Sequence, residues 1–166
     1  NKKSINYEGL LRQDSDREKP CLSYLYDHYG LKYISINEIP CHITHTNEDT
    51  HKIIETSKNL SPMYNGKIDS LGPRYCPSIE DKVMRFADKK SHQIFLEPET
   101  LSDFEVYPNG LSTSLPVEIQ EKFLRTIKGL ENCIITQPGY AIEYSFFAPT
   151  CLNSFLETKK IKSLFF

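Results

Sequence analysis

Two rhythms of apolar and polar positions run along this chain, one with a period near four residues and one with a period of two. The four-residue rhythm is clearest in "LPVEIQEKFLRTIKGL", where Ile119, Phe123 and Ile127 repeat with Leu124 beside them. Pro116 suits the first turn of that helix, Lys128 suits its last turn, and Gly129 can take the left-handed stop. A second helix is predicted near 48–59: Asn47 is a good N-cap, and Thr50, Ile53, Ile54, Ser57 and Leu60 follow at helical spacing. "SPMYNGK" then breaks it with Pro62 and Gly66. A third helix starts at Ser78, which with Asp81 fits a capping box, and Ile79, Val83, Phe86 and Ala87 form its apolar face.

The shorter rhythm gives strands. "CHITHT" after Pro40 and "HQIFLEPE" up to Pro98 each read as one. "FEVYPNGLSTS" holds the turn signal Pro108-Asn109-Gly110 between two strand-like pieces. "NCIITQPGYAIEYSFF" predicts two strands around Pro138-Gly139, and "ETKKIKSLFF" ends in another. "CLSYLYDHYGLKYISI" is rich in tyrosine and β-branched residues and predicts strands, with a hairpin turning near Gly30. "RQDSDREKP" is charged and predicted to be solvated. Strands and helices interleave, so the fold class is mixed α/β, that is α+β.

Composition changes this picture little. A length of 166 residues suggests one domain, and 39% hydrophobic residues allow a proper core. A net charge of −2 gives no bulk basic excess to announce nucleic acid or an anionic membrane. The longest apolar runs are too short to span a bilayer, and no charged-then-apolar leader is visible. Five widely spaced cysteines without a C-x-x-C pair read as reduced thiols of a cytosol-like compartment. The abrupt opening "NKKSINYEGL" and the apolar ending "KIKSLFF" predict a piece of a longer protein. Neither G-x-G-x-x-G nor G-x-x-x-x-G-K-[ST] occurs within it.

The densest chemistry lies in "GPRYCPSIEDKVMRF", from Gly72 to Phe86. Cys76 just precedes a predicted helix N-terminus, with Arg74, Lys82 and Arg85 nearby, an arrangement that favours a thiolate. Glu80 and Asp81 oppose it by like charge. A buried, inert thiol is the competing reading. Cys41, His42, His45 and His51 are the residue types of a zinc site, but His42 and His45 fall on opposite faces of a strand and no second cysteine completes a half-site. Glu97, Glu99, Glu143 and Glu157 have no spacing that forces acid–base pairing, so they read as surface or ion-paired carboxylates. Tyr75, Tyr107, Tyr140 and Tyr144 are placed either to stack on exposed bases or to sit in the core.

These residues carry a specific resemblance. "CHITHTNEDTHKII", "SPMYNGKIDSLGPRYCPSIEDKVMRFADKKSHQIFLEPE", "YPNGLSTSLP", "PGYAIEY" and "LETKKIKSLFF" look like consecutive blocks of the GidA/MnmG family. The resemblance covers 39–166, the central region, while 1–38 is a variable lead-in segment that matches only loosely. It implies insertion-domain material plus strands of a discontinuous, Rossmann-like FAD-binding domain. It further implies a cytoplasmic enzyme, or one in an organelle of bacterial origin, that uses FAD, NADH and methylene-tetrahydrofolate. Such an enzyme works as a homodimer with an MnmE-type GTPase and without a membrane. It installs an aminomethyl or carboxymethylaminomethyl group at C5 of the wobble uridine of tRNA.

On this resemblance Cys76 is the catalytic thiol, acting as a nucleophile toward C6 of uracil or as an acid or base. The cofactor-contacting segment is Gly72, Pro73, Arg74, Tyr75, Cys76, Pro77, Ser78, Ile79, Glu80, Asp81, Lys82, Val83, Met84, Arg85 and Phe86, with Arg74 and Lys82 as anion contacts. The sequence departs from the family pattern at Thr100 and Ser163, where glycine is usual, and at Ser145 and Ala148, where aspartate is. The piece by itself is expected to be inactive and colourless. Two other readings stand beside this one: a non-catalytic module that docks tRNA or a partner, and a relative of the folate- and flavin-dependent tRNA uridine methyltransferases. The length of the "GPRYCPSIEDKVMRF" match argues against the last.

Overall fold

The computed structural model describes residues 1–17, 23–29, 38–68, 77–101 and 104–166. Four strands form an antiparallel sheet in chain order: β1 (Leu11–Gln13), β2 (Cys41–His45), β3 (Gln93–Pro98) and β4 (Val106–Asn109). The helices are α1 (Tyr24–Tyr29), α2 (Glu48–Ser57), α3 (Ile79–Arg85) and α4 (Val117–Leu124). The mixed α+β class is the observed one.

Period-two alternation divides the sheet into two faces. In β3, Ile94 and Leu96 are buried while Gln93 is exposed. The register sets Thr44 opposite Ile94 and His42 opposite Leu96. Ile94 and Leu96 join Ile54 of α2, Ile79 and Val83 of α3, and Phe123 of α4 in one core, completed by Leu111, Leu115, Ile127 and Leu130. α2, α3 and α4 therefore cover the Ile94–Leu96 face, and burying those side chains is the main stabilising term, about 1.5–3 kcal/mol for each large one.

The helix boundaries are set by side chains. Asn47 caps α2 with a capping box: its Oδ1 accepts the Thr50 amide at 2.9 Å, and Thr50 Oγ1 accepts the Asn47 amide at 3.2 Å. The same Asn47 donates to the Thr126 carbonyl at 2.6 Å, which ties the start of α2 to the end of α4. Gly129 has φ 86°, and a Cβ there would lie 2.5 Å from the Asn6 carbonyl oxygen, so both conformation and space require glycine.

The lead-in shares the same sheet. Leu11, Arg12 and Gln13 pair with Ile43, His42 and Cys41, and the Asn6 amide donates to the Gly129 carbonyl at 2.9 Å. Residues 11–17 are exposed, as their charge predicts.

Several expected elements differ. Tyr24–Tyr29 is helical where strands were predicted, and Tyr24, Leu25 and Tyr29 are all exposed. Strand preference is largely preference for a half-buried pleated surface, which this segment does not face. The expected turn near Gly30 lies outside the described residues. Pro108 and Asn109 lie within β4, not in a turn after it, and the second strand-like piece, 111–115, is irregular. Proline is tolerated there because β4 is an edge strand and needs no donor on its outer side.

The two strands expected around Pro138-Gly139 are absent: 138–147 runs without a ladder partner among the described residues, with Tyr140, Ile142, Tyr144 and Phe146 exposed. The final strand is likewise reduced to two isolated bridges, Leu152 with Thr158 and Glu157 with Phe165. Alternation supplies a candidate strand, but only a neighbouring strand supplies its hydrogen bonds.

Candidate functional site

Cys76, together with Gly72, Pro73, Arg74 and Tyr75, lies outside the described residues; Pro77 to Phe86 are described. Ser78 caps α3, its Oγ accepting the Asp81 amide at 3.2 Å. The reciprocal half of the predicted box is missing, because the Asp81 carboxylate is engaged elsewhere: its Oδ1 accepts the Tyr64 hydroxyl at 2.9 Å. Burial, that hydrogen bond and the Asp81 charge push the Tyr64 phenol up to about 12.

The first turn of α3 is clamped to the 111–115 segment. The Ile79 amide donates to the Ser112 carbonyl at 2.7 Å. Glu80 is fully buried, and its Oε1 accepts the Ser114 amide at 3.1 Å and the Ser114 hydroxyl at 3.3 Å. Ser114 Oγ in turn meets Ser61 Oγ at 2.6 Å. Glu80 Oε2 has no hydrogen-bond partner among the described residues. Glu80 was read as an acidic neighbour of the thiol; the structure turns it inward as the anchor of α3.

The predicted apolar face of α3 is borne out at Ile79 and Val83 only. The helix ends at Arg85, so Phe86 and Ala87 leave the core side and are exposed. Lys82 reaches across to donate to the Gly110 carbonyl at 2.9 Å. Arg85 and Phe86 stand on the outer side, with Lys89 Nζ 5.4 Å from the Phe86 ring centroid. Within this stretch, then, Ile79, Glu80 and Val83 serve packing, while Lys82, Met84, Arg85 and Phe86 keep accessible surface.

The remaining candidates are dispersed. No group of three or more His, Cys, Asp or Glu able to hold a metal occurs among the described residues. His42 packs on Tyr7 at 4.5 Å between ring centroids, His51 bonds to Thr46, and His45 is exposed. Cys41 is half-buried, its thiol pushed up by burial and then by the Glu97 charge. Glu97 accepts from Asn109 Nδ2 at 2.9 Å, and Glu157 Oε1 accepts the Ser163 amide at 2.6 Å, so both serve structure. Tyr107, Tyr140 and Tyr144 are exposed and not core residues. No helix among the described residues is long and apolar enough to cross a membrane.

A second feature escaped the sequence reading. A cavity of about 490 Å³ lies between β4, α4 and 133–142, lined by Leu96, Tyr107, Thr113, Phe123, Cys133 and Tyr140 among others. Gln120 stands at its edge and holds Gly139. Nothing in the spacing of an exposed-looking glutamine announces this; only the return of 138–139 against α4 creates it.

A mixed α+β body with a capped helix carrying the "PSIEDKVMRF" run defines the class of fold, and comparison with known proteins gives the family. The family model described as "Glucose inhibited division protein A" matches residues 1–166, so the chain belongs to the GidA family. The tRNA uridine 5-carboxymethylaminomethyl modification enzyme MnmG of Dichelobacter nodosus (strain VCS1703A) is 59% identical over 165 residues, which is 99% of this chain and 26% of that protein. Among solved structures, Aquifex aeolicus GidA in its form I crystal superposes with a TM-score of 0.81 at 46% identity, covering 99% of this chain and 28% of that one. The form II crystal gives a TM-score of 0.76 at 43% identity, covering 99% and 26%. The chain thus spans about a quarter of the length of these relatives.

Proposed function

We propose that this chain is the central part of a tRNA uridine-modifying enzyme of the MnmG type, with Cys76 as its catalytic thiol. The observation that carries this reading is the 59% identity to MnmG over 99% of the chain. The parent enzyme would use FAD and NADH, take its one-carbon unit from methylene-tetrahydrofolate, and act as a homodimer with an MnmE-type GTPase. Its site would be cytoplasmic or in an organelle of bacterial origin. The segments 138–147 and 157–166, which form no ladder strand among the described residues, would join a Rossmann-like FAD-binding domain built largely from other parts of the parent.

The described part of the cofactor segment fits a phosphate-bearing ligand through its outer side only. Arg85 supplies positive charge and Phe86 an exposed ring, while the half-buried Lys82 adds charge with its ammonium held on the Gly110 carbonyl. Glu80, being buried, supports α3 and not the ligand. When bound, the flavin and nicotinamide supply the redox chemistry. This chain's share is to hold the first turn of α3 through Ser78 and Glu80, and so to fix the point from which the Cys76 segment departs. Three Cα–Cα steps link Cys76 to Ile79, which limits the distance between their Cα atoms to about 11 Å.

The test is mass spectrometry of tRNA nucleosides from cells lacking their own copy, supplied with the parent gene as wild type or Cys76→Ser. Wild type is expected to restore the C5-modified wobble uridine, and an equally abundant serine variant is not. Restoration by both would remove Cys76 from the chemistry, and restoration by neither would remove the MnmG reading.

A further inference from the structure

Two imidazoles meet where α2, the lead-in to β3 and the end of α3 converge. The rings of His51 and His92 lie 5.1 Å apart, tilted by 33°. His51 is buried, and its Nε2 is 2.7 Å from the Thr46 hydroxyl. Thr46 Oγ1 also accepts the His92 amide at 2.8 Å, which takes one of its two lone pairs. With the hydroxyl hydrogen directed at His51, Nε2 is the acceptor and the ring is neutral in the closed latch. His92 Nε2 is buried and has no hydrogen-bond partner among the described residues. The Phe86 ring stands edge-on to His92 at 6.5 Å, so the end of α3 closes on His92 through an aromatic contact.

We propose that His51 and His92 form a pH-sensitive latch, which holds the end of α3 against α2 and β3 while both rings are neutral and releases it on uptake of one proton. The latch rests on these contacts and not on the reading of the chain as part of a tRNA-modifying enzyme.

The surrounding charges decide where the proton goes. From α2, Glu48 and Glu55 face His51 and favour its cation, although Glu48 is also 3.1 Å from Lys90. From α3 and the turn after it, Lys82 and Lys89 face His92 and oppose its cation, as His51 does. Burial is the largest cause and lowers both rings below the ordinary histidine range. The neighbouring charges therefore favour His51 over His92 as the site of the first proton. It turns an accepting nitrogen into a donor facing a hydroxyl whose hydrogen must swing away, and it puts a cation beside His92. Opening relieves both.

Because both folded values are lowered, the latch is fully closed above the ordinary histidine value of about 6.5 and weakens as pH falls below it, where the opened state binds the proton more tightly.

The test is hydrogen–deuterium exchange of the full chain between pH 5 and 8, corrected for the intrinsic pH dependence, read on the peptide covering Val83–Lys90. That peptide includes the Phe86 and Lys89 amides, which donate to the Lys82 and Phe86 carbonyls. In the wild type, protection is expected to fall by up to about tenfold per pH unit below 6.5. In the double variant His51→Gln/His92→Gln, where neither side chain titrates, protection should be flat. A flat wild type, or an unchanged slope in the variant, overturns the latch. Should the variant fail to fold, the wild-type histidine NMR titration decides. Protonation of His51 ahead of a suppressed His92 supports the latch; independent titration of both at the ordinary value overturns it.

Discussion

Gln120 grips Gly139 with both atoms of its amide: Gln120 Oε1 accepts the Gly139 amide at 2.8 Å, and Gln120 Nε2 donates to the Gly139 carbonyl at 3.0 Å. The same Nε2 donates to the Leu115 carbonyl at 2.7 Å. This buried side chain thus joins α4, the turn before it and the returning 138–139 segment. A Cβ on Gly139 would sit 2.6 Å from the Thr113 carbonyl oxygen, so nothing larger than glycine fits the grip.

Replacing Gln120 by alanine leaves the buried Leu115 carbonyl and the part-buried Gly139 amide and carbonyl without this partner. The expected loss is about 1–3 kcal/mol, the cost of one unsatisfied buried polar group. Gly139→Ala should lose about 1–3 kcal/mol through overpacking. Urea unfolding monitored by circular dichroism reads both, and a loss below about 0.5 kcal/mol for both would show that the grip contributes little.

Glu80 gives a contrast between two substitutions. Glu80→Gln keeps the carbonyl oxygen that accepts from Ser114, and its stability should stay within about 1 kcal/mol of wild type. Glu80→Ala removes the acceptor and leaves a void in a fully buried position, at an expected cost of about 2–4 kcal/mol. Equal losses for the two would show that shape, and not the hydrogen bond to Ser114, matters at this position.

Tyr64 should titrate near pH 12, readable as phenolate absorbance. Its folded value lies above the unfolded one of about 10, so its contribution is complete below pH 10 and is lost as pH rises from about 10 to 12. Asp81→Asn removes the carboxylate that holds the hydroxyl and should shift the Tyr64 midpoint downward. An unchanged midpoint would assign the shift to burial alone.

Ser163 occupies the left-handed region with φ 63°, where a side chain is strained, and its amide is already held by Glu157. Glycine, which the family resemblance implies for this position, removes that strain. Ser163→Gly should therefore raise stability by about 0.5 kcal/mol after the entropy of the freer unfolded chain is offset, read as a small rise in the thermal midpoint. A lowered midpoint would show that this conformation carries no strain.

The sequence by itself determined those features whose causes are local. Asn47 and Ser78 start α2 and α3 because their side chains accept amides three residues on; Gly129 takes the left-handed φ that only glycine takes cheaply, but α4 has already ended at Leu124 with Arg125 as its C-cap. β2 and β3 were legible because alternation over five or six residues has one stable outcome when a core lies on one side. The "GPRYCPSIEDKVMRF" motif was legible as a motif, and with it the family. Tertiary structure decided everything that needs a distant partner. It left 138–147 without a ladder among the described residues, put the Tyr24–Tyr29 segment into a helix, and moved Pro108 into an edge strand. It also turned Glu80 inward to Ser114 and brought His51 to His92 and Gln120 to Gly139. Those contacts join residues 19 to 41 positions apart, and no periodicity within one segment encodes which distant group will satisfy a buried donor or acceptor.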